Sequence, residues 1–253
     1  MSTVVSNPSC DEVAARFSAQ ASSYERYAYV QKKAAVLLDM WLCGLSMPAP
    51  ATIAEIGCGT GLFTRLLRRR YPRAHLTASD IAPDMVAYCR GLLGSSPSLQ
   101  YAVCDGRIAR FAPSPDWIVS AMCMQWMDPL MPVLRHHLQA CGMLAFSVVL
   151  DGSFQPWRTA HRKAGQAPGL RALPDYRTLV RDCYEAGAAR VHAHRFTLTQ
   201  THPNGMHFAA GLRAIGASCP QPGHRPGNLK PVLRQLSGEV EMNYEIGFFC
   251  LQR

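Results

Sequence analysis

The sequence lacks any apolar run of about 18 residues or more, so no segment has the length of a membrane-spanning helix. It also lacks low-complexity tracts and internal repeats, and a composition of 48% hydrophobic and 17% charged residues excludes fibrous and disordered proteins. None of the ten cysteines stands within three residues of another, so neither a CxxC zinc pair nor a redox dithiol is present. The first twenty residues hold no basic segment followed by an apolar one, the pattern of a secretory signal. We therefore expect a globular cytoplasmic protein that uses no membrane and no metal.

Acidic residues are scarce. Aspartate and glutamate number 17 against 26 lysines and arginines, which gives a formal net charge of +9. Most of the surplus lies between Asp151 and Gln235, where 12 basic residues accompany 4 acidic ones. A positive field of this kind raises the rate of association with acidic partners. Nucleic acid and an acidic carrier protein both meet this condition, and charge alone does not separate them.

Strand and helix patterns alternate through the first 150 residues. Residues 11–43 favour two helices, the first over 11–27. The following strands are predicted at 51–57, 75–80, 99–105, 116–122 and 143–150, and the helices between them at 63–70, 83–93 and 129–140. Strands that alternate with helices form βαβ units, so the sequence predicts an α/β fold with a doubly wound, mostly parallel sheet.

The alternation ends after Leu150. Two helical stretches follow without a strand between them, and then come a strand at 190–200, a helix at 207–217, a loop rich in proline and glycine at 217–231 and a strand at 239–253. The sheet should therefore have seven strands. We predict one domain over 1–253, made of an N-terminal helical cap (1–45), a ligand-binding core (50–150), a helical lid inserted after the fifth strand (151–189) and a segment that completes the sheet (190–253).

A glycine-rich turn joins the first strand to the next helix. Gly57, Gly59 and Gly61 permit a tight turn and let backbone amides approach a ligand at the start of that helix. A dinucleotide fingerprint would need a glycine at position 62, where the chain has Leu62. The spacing is therefore GxGxG and favours a different ligand.

Three acidic residues accompany the first three strands. Asp80 ends the second strand, nineteen residues after Gly61, where a carboxylate can accept both ribose hydroxyls. Asp105 ends the third strand, close enough in a doubly wound sheet to meet an adenine amino group. Glu55, just before the glycines, adds negative charge near a cationic ligand.

In this order, EIGCGTG at 55–61, SD at 79–80 and CD at 104–105 resemble the class I S-adenosylmethionine-dependent methyltransferases. The resemblance implies S-adenosyl-L-methionine as the cofactor and S-adenosyl-L-homocysteine as the product. It also implies that the glycine loop holds the methionine moiety, the second-strand acid the ribose and the third-strand acid the adenine. The implied cofactor-binding residues are Glu55, Gly57, Cys58, Gly59, Gly61, Asp80, Ile81, Met85, Asp105, Gly106, Ala121 and Gln125.

The region after the fourth strand selects the methyl acceptor in this superfamily. The chain has SAMCMQWM at 120–127 in place of the [DN]PP[FYW] signature of enzymes that methylate base or amide nitrogen. QW at 125–126, FSAQASSYE at 17–25, FSVVLDGSF at 146–154 and NYE at 243–245 resemble the malonyl-acyl-carrier-protein O-methyltransferases of biotin synthesis. This resemblance runs through nearly the whole chain. It implies methyl transfer to the free carboxylate of malonyl-acyl-carrier protein, or of malonyl-coenzyme A, which gives the methyl ester that starts pimeloyl synthesis for biotin.

A carboxylate oxygen is a nucleophile at neutral pH, so such a reaction needs in-line positioning and desolvation rather than a general base. A buried carboxylate needs a cation or a hydroxyl as its partner, and arginine can bind it through two parallel hydrogen bonds. The preferred anchor is Arg158, because GSFQPWR resembles the family stretch GTFxELR. The implied catalytic residues are Tyr24, Gln31, Trp126 and Arg158, with Arg162, Arg171 and Arg177 as alternative anchors.

The partner implied by the resemblance is an acidic acyl-carrier protein that bears malonyl-phosphopantetheine, docked by arginines between Arg158 and Arg234. Two other functions stay open: a carboxyl methyltransferase on a free small acid such as aconitate, and an RNA methyltransferase or RNA-binding module. A preference for carrier-bound malonyl over free malonate would distinguish the malonyl-carrier enzyme from a carboxyl methyltransferase on a free small acid. RNA binding would depend steeply on salt, and nucleic acid is disfavoured because basic and aromatic residues are not interleaved.

Overall fold

The computed structural model describes residues 10–218 and 227–253. The strands are β1 (Thr52–Ile56), β2 (His75–Asp80), β3 (Leu99–Val103), β4 (Trp117–Ala121), β5 (Met143–Val149), β6 (Arg190–His202) and β7 (Val240–Gln252). The helices are α1 (Cys10–Ser18), α2 (Tyr24–Tyr27), α3 (Tyr29–Gly44), α4 (Thr64–Arg70), α5 (Pro83–Leu93), α6 (Leu130–Ala140), α7 (Gln155–Lys163), α8 (Tyr176–Glu185), α9 (Gly205–Ala214) and α10 (Lys230–Gln235). A short 3₁₀ helix, Met124–Trp126, follows β4.

The strands form one sheet in the order β3-β2-β1-β4-β5-β7-β6. β1 to β5 run parallel, and β7 is antiparallel to both of its neighbours. The predicted α/β class and the mostly parallel seven-stranded sheet are confirmed. The chain order reverses at β1, which lies between β2 and β4. Such a switch point leaves a crevice at the carboxyl ends of the strands, where α/β proteins bind their ligands.

Helices cover both faces of the sheet. Val119 and Ala145 pack with Leu38 of α3 in the core on one face, whereas Ile118 and Leu144 belong to the core beneath α6 and α8 on the other. Successive side chains of a strand point to opposite faces, so neighbouring residues contribute to different cores. Every residue of β5 is buried, as expected of a central parallel strand. The sheet is thus a rigid base for its carboxyl-end crevice.

The single helix predicted over 11–27 is wrong, because α1 ends at Ser18 and α2 begins only at Tyr24. The serines of the intervening segment favour turns, since their hydroxyls compete for backbone hydrogen bonds. The turn also buries Ala21 against Ala82 and Met85, at the start of α5. Residues before and after the break therefore approach the same edge of the sheet.

Two short helices appear where the sequence pattern predicts none. One is the 3₁₀ helix after β4, and the other is α10, which has a proline in its first turn. The predicted loop at 217–231 lies in part outside the described residues, as does the start of the predicted cap. Within the described ranges, no helix is both long enough and apolar enough to cross a bilayer.

Candidate active site

A cavity of about 920 Å³, its open mouth included, lies at the carboxyl ends of β1 to β4. We call it the first cavity. It occupies the crevice that the strand order creates at β1. Eight of the predicted cofactor-binding residues line it: Gly57, Gly59, Asp80, Ile81, Met85, Asp105, Gly106 and Ala121.

Asp80 ties the end of β2 to the glycine turn. Its Oδ2 accepts a hydrogen bond from the Gly59 amide at 2.9 Å, and its Oδ1 accepts one from the Ala82 amide at 2.9 Å. Burial raises the pKa of the Asp80 carboxyl, although these backbone hydrogen bonds act in the opposite direction. Each carboxylate oxygen has a second acceptor site. The side chain therefore keeps capacity to accept two hydroxyl donors from the cavity.

Two glycines in the wall of the first cavity have no room for a side chain. Gly57 has a φ of +73°, and a Cβ there would collide with the Cys123 side chain. Gly106 has no room for a Cβ either, because Ile56 and Met127 lie too close. A side chain at either position would be strained or would fill the wall of the first cavity.

A side pocket next to the first cavity holds two buried oxygens without a partner. Glu55 and Thr60 line it together with Tyr24 and Gln31. Among the described residues, Oε1 of Glu55 and Oγ1 of Thr60 have no hydrogen-bond partner, whereas Oε2 of Glu55 accepts from the Thr64 hydroxyl at 2.6 Å. Unpartnered buried polar atoms are costly, so these two oxygens fit a polar ligand group. Burial raises the pKa of the Glu55 carboxyl to about 8.

Asp105 carries more hydrogen bonds than the sequence pattern predicts. The Arg107 guanidinium donates to both of its carboxylate oxygens, at 2.7–3.1 Å, and the Arg107 amide donates at 2.9 Å. The Cys10 thiol lies 3.8 Å from Oδ2. Burial would raise the pKa of Asp105, but the hydrogen bonds and charge of Arg107 lower it overall. The adenine amino group that the family resemblance implies would therefore have to share or displace one of these donors.

A larger second cavity, about 1590 Å³ with its open mouth, lies beneath α7 and α9. Its walls are mainly apolar and aromatic. Tyr24, Gln31, Gln125 and Trp126 line it, together with Arg171 and Arg213. Gln125 was predicted in the cofactor site, but the structure places it here, with its amide nitrogen 2.7 Å from the Met122 carbonyl oxygen. Its Oε1 is buried and has no partner among the described residues.

The two cavities meet at five residues that line both of them: Phe17, Tyr24, Met122, Trp126 and Arg171. At this junction the Arg171 guanidinium lies over the Trp126 ring, 5.2 Å from its centre. Phe17 packs edge-on against the same ring at 5.3 Å. Burial raises the pKa of the Tyr24 hydroxyl, which therefore stays protonated at neutral pH. The junction thus combines aromatic walls with one cation and one hydroxyl.

Arg158 does not reach either cavity. Its Nε donates to the Ser153 carbonyl oxygen at 2.9 Å, and its guanidinium lies 3.3 Å from the Asp151 carboxylate. Trp157 and His161, one helical turn apart, are the side chains of α7 that face the second cavity. Arg158 follows Trp157 by one position, about 100° around the helix, and so points elsewhere. The arginine at the junction is Arg171, one of the alternatives left open by the sequence.

Two further predicted cofactor residues lie behind the first cavity. Cys58 is buried and lines only the side pocket. Gly61 contacts α5 instead, since a Cβ there would lie 2.8 Å from the Cys89 sulfur, and its φ is +92°. Both residues belong to the glycine turn, and neither lines the first cavity.

The N-terminal helix supplies cavity residues that sequence reasoning missed. Cys10 and Val13 of α1 line the first cavity, and so do Cys104 and Arg107 next to Asp105. Motifs around the glycine turn carry no information about α1, because it is distant in the chain. Phe17 belongs to a stretch that resembles the family, and that resemblance was the available signal.

Comparisons with known proteins identify the family of this chain. Residues 53–142 match the family model described as a methyltransferase domain. The chain is 38% identical over 232 residues to the biotin biosynthesis bifunctional protein BioCD of Bordetella avium, covering 88% of this chain and 48% of that protein. It is 32% identical to the malonyl-[acyl-carrier protein] O-methyltransferase of Magnetococcus marinus, covering 86% of this chain and 81% of that protein. The chain belongs to this O-methyltransferase family.

These matches confirm two predictions: the family, and the enzyme class of an S-adenosyl-L-methionine-dependent O-methyltransferase. Among solved structures, the chain is similar to phosphoethanolamine N-methyltransferase 2 of Haemonchus contortus, solved with phosphomonomethylethanolamine and S-adenosylhomocysteine. The TM-score is 0.58 at 13% identity, over 93% of this chain and 57% of that one. This likeness supports the class I methyltransferase fold. Within residues 10–218 and 227–253, no cluster of three or more metal-ligating side chains occurs.

Proposed function

We propose that the protein transfers a methyl group from S-adenosyl-L-methionine to the free carboxylate of malonyl-acyl-carrier protein and so forms the malonyl methyl ester. The observation that carries this proposal is the junction of the two cavities, where Arg171 is the charged residue common to both. An acceptor carboxylate in the second cavity would meet this guanidinium next to the methyl donor. The names of the relatives support the same substrate.

The first cavity and the side pocket fit the methyl donor. Asp80 would accept the ribose hydroxyls, and Asp105 would accept the adenine amino group. The unpartnered oxygens of Glu55 and Thr60 would receive the ammonium group at the amino-acid end. Gly57 would let the backbone approach the ligand. When bound, S-adenosyl-L-methionine supplies the electrophilic methyl group.

The residues of the chain would bind, align and desolvate the acceptor carboxylate during the transfer. The Arg171 guanidinium lies over the Trp126 ring and has no carboxylate partner among the described residues, so its N–H groups would be available for a bidentate carboxylate bond. The protonated Tyr24 hydroxyl is a second donor at the junction. Phe17 and Trp126 exclude water, which raises the nucleophilicity of a carboxylate oxygen that is not bonded to these donors. The carboxylate is already ionised at neutral pH, so the step transfers no proton to the protein.

The segment 151–189 would act as a lid over this site, and residues 10–45 as a cap, within a single methyltransferase domain. The Trp157 indole N–H donates to the Pro168 carbonyl oxygen at 3.2 Å, and the Asp151 amide donates to the Pro174 carbonyl oxygen at 2.9 Å. These bonds hold both ends of the loop that carries Arg171. Closure of this segment would remove the remaining water from the junction.

An acidic acyl-carrier protein is the proposed partner. The region 151–235 carries most of the chain's positive surplus. The exposed residues that line the second cavity, Arg213 and Leu229 among them, mark its opening. A carrier that docks near this opening would send its prosthetic arm toward the junction. Complementary charge would raise the association rate and make it dependent on salt.

A methyl-transfer assay tests the proposal. The enzyme is incubated with S-adenosyl-L-methionine and malonyl-acyl-carrier protein, and the intact mass of the carrier protein is then measured by mass spectrometry. We expect the mass of one methyl group to be added, and no gain when acetyl replaces malonyl. Free malonate and RNA are assayed in parallel. A protein that binds S-adenosyl-L-methionine but methylates free malonate or RNA in preference to the malonyl carrier contradicts the proposal.

A further inference from the structure

The far end of the second cavity carries a second positive charge. Two of the described residues that line this cavity are charged, and both are arginines, Arg171 at the junction and Arg213 near the opening. The other lining residues are largely aliphatic and aromatic, with Leu170, Leu173 and Leu212 among them. The cavity therefore combines two cations with walls that are otherwise mainly apolar.

Arg213 projects from a firmly held helix. Ala209, Leu212 and Arg213, at positions i, i+3 and i+4, form the face of α9 that lines the cavity. The Asn204 side chain caps the helix by accepting hydrogen bonds from two backbone amides, at 3.0 and 3.1 Å. Phe208 anchors it, since its side chain is fully buried. The position of Arg213 near the opening is thus fixed by α9.

The guanidinium of Arg213 is available to a ligand. Among the residues in the described ranges, no carboxylate forms an ion pair with Arg213 or with Arg171. The Arg16 guanidinium donates to the carbonyl oxygen of Ser218, another residue that lines this cavity, at 2.9 Å, which ties α1 to the cavity wall. An arginine that is exposed, unpaired and held at a cavity opening is suited to a phosphate oxyanion.

We propose that Arg213 binds the phosphodiester of the substrate's phosphopantetheine arm while Arg171 binds the malonyl carboxylate. This inference rests on the proposed function and deepens it. The thioester substrate carries one anion at the malonyl end, an uncharged amide chain, and a second anion where the arm joins its carrier. The two arginines and the otherwise apolar walls of the cavity suit these two anions and the chain that joins them. Arg213 would therefore recognise the arm itself, apart from any contact with the carrier protein.

Small substrates without a carrier protein test this inference. Malonyl-pantetheine and malonyl-4′-phosphopantetheine differ only in the phosphate group. We expect the wild-type enzyme to have a KM about tenfold or more lower for the phosphorylated substrate, because a charge-assisted hydrogen-bond pair contributes that much. Arg213→Gln should remove most of this preference, and Arg213→Lys should keep part of it. Arg190→Gln is the matched control, since Arg190 is exposed at the start of β6 and lines neither cavity.

Equilibrium binding gives a readout that does not depend on turnover. Calorimetry in the presence of S-adenosyl-L-homocysteine measures the affinities of pantetheine and 4′-phosphopantetheine for the same variants. The inference predicts that the phosphate strengthens binding to the wild type and to Arg190→Gln but hardly to Arg213→Gln. An equal phosphate effect in Arg213→Gln and the wild type, or no phosphate effect in the wild type, overturns it. If phosphate binding depends on Arg213 but no malonyl thioester is methylated, the proposed function fails and the anion site stands.

Discussion

The guanidinium carbon of Arg171 lies 5.2 Å from the centre of the Trp126 ring, at the junction where the two cavities meet. Stacking of a guanidinium on an aromatic face fixes its plane and leaves its N–H groups free at the edge. Trp126 is itself fixed by the edge-on contact with Phe17. Three residues that are far apart in the chain thus form one positioned cationic site.

Replacing Arg171 should impair the use of the malonyl substrate. We expect Arg171→Gln to lower kcat/KM for malonyl-acyl-carrier protein by about 10–100-fold, because the variant loses a charge-assisted hydrogen bond to a desolvated carboxylate. Arg171→Lys should recover only part, because an ammonium cannot form the planar bidentate bond. The comparison is Arg158→Gln, whose side chain contacts Ser153 and Asp151. A larger loss of kcat/KM in Arg158→Gln than in Arg171→Gln would show that Arg158, and not Arg171, binds the malonyl carboxylate.

The Asp80 carboxylate should determine cofactor affinity. Asp80→Asn keeps the shape of the side chain but replaces one carboxylate oxygen with an NH₂ group. Each Asp80 oxygen accepts a hydrogen bond from a backbone amide, that of Gly59 or of Ala82, so this NH₂ group would face another N–H donor. We expect the Kd for S-adenosyl-L-methionine to rise about 10–100-fold, measured by calorimetry. Asp84→Asn is the control, because Asp84 is exposed on α5 and does not line the first cavity. Equal affinities of the two variants would show that Asp80 does not bind the cofactor.

Glu55 should make the stability of the cofactor-free protein dependent on pH. Burial raises the pKa of its carboxyl from an ordinary value near 4.5 to about 8, so the folded protein keeps this proton longer than the unfolded chain does. The stability that the raised pKa contributes is fully present below about pH 4.5 and is lost as the pH rises to about 8. The free energy of unfolding of the wild type relative to Glu55→Gln should therefore fall by about 1.4 kcal/mol per pH unit within this window.

Urea unfolding at several pH values between 5 and 9 measures this difference. Glu239→Gln serves as the control substitution, because Glu239 is exposed. A constant difference between the wild type and Glu55→Gln would mean that the buried carboxyl ionises at its ordinary pKa.

An added methyl group at Gly57 should disrupt the first cavity. Gly57→Ala combines a positive φ of +73° with a collision against Cys123, so we expect a loss of at least about 1–2 kcal/mol of stability and a cofactor Kd raised more than about tenfold. Gly44→Ala is the matched substitution, because a Cβ at Gly44, the last residue of α3, meets no atom within 4 Å. It should be neutral or slightly stabilising. Thermal unfolding and cofactor titration of the two variants check this, and similar behaviour would refute the steric argument.

Several local features could be read from the sequence because they depend on neighbours in the chain. The helix predicted over 83–93 and the strand over 75–80 have the bounds that the structure gives to α5 and β2. The GxGxG spacing located the turn in which Gly57 and Gly59 line the first cavity. The break between α1 and α2 was missed, because burial of Ala21 against Met85 is a tertiary contact that no local pattern contains.

Side-chain roles at the junction depended on the fold. The motif correctly placed Arg158 on the helix beside the second cavity, α7, but the rotation of this helix directs Trp157 and His161 to the cavity and Arg158 to Asp151. Gln125 follows β4 as predicted, yet the 3₁₀ helix that contains it directs its side chain into the second cavity. A shift of one position in a helix changes the direction of a side chain by about 100°, which sequence spacing alone does not resolve.

The sequence by itself determined the α/β class, the alternation of strands and helices up to Leu150, and the glycine and acidic positions around β1 and β2. Hydrophobic periodicity and glycine spacing act over a few residues, so these features need no knowledge of distant contacts. Only the tertiary structure decided that α1 lines the first cavity, that Arg171 rather than Arg158 stands at the junction, and that Arg213 marks the opening of the second cavity. These relationships join segments separated by many residues, and only packing on a common sheet brings such segments together.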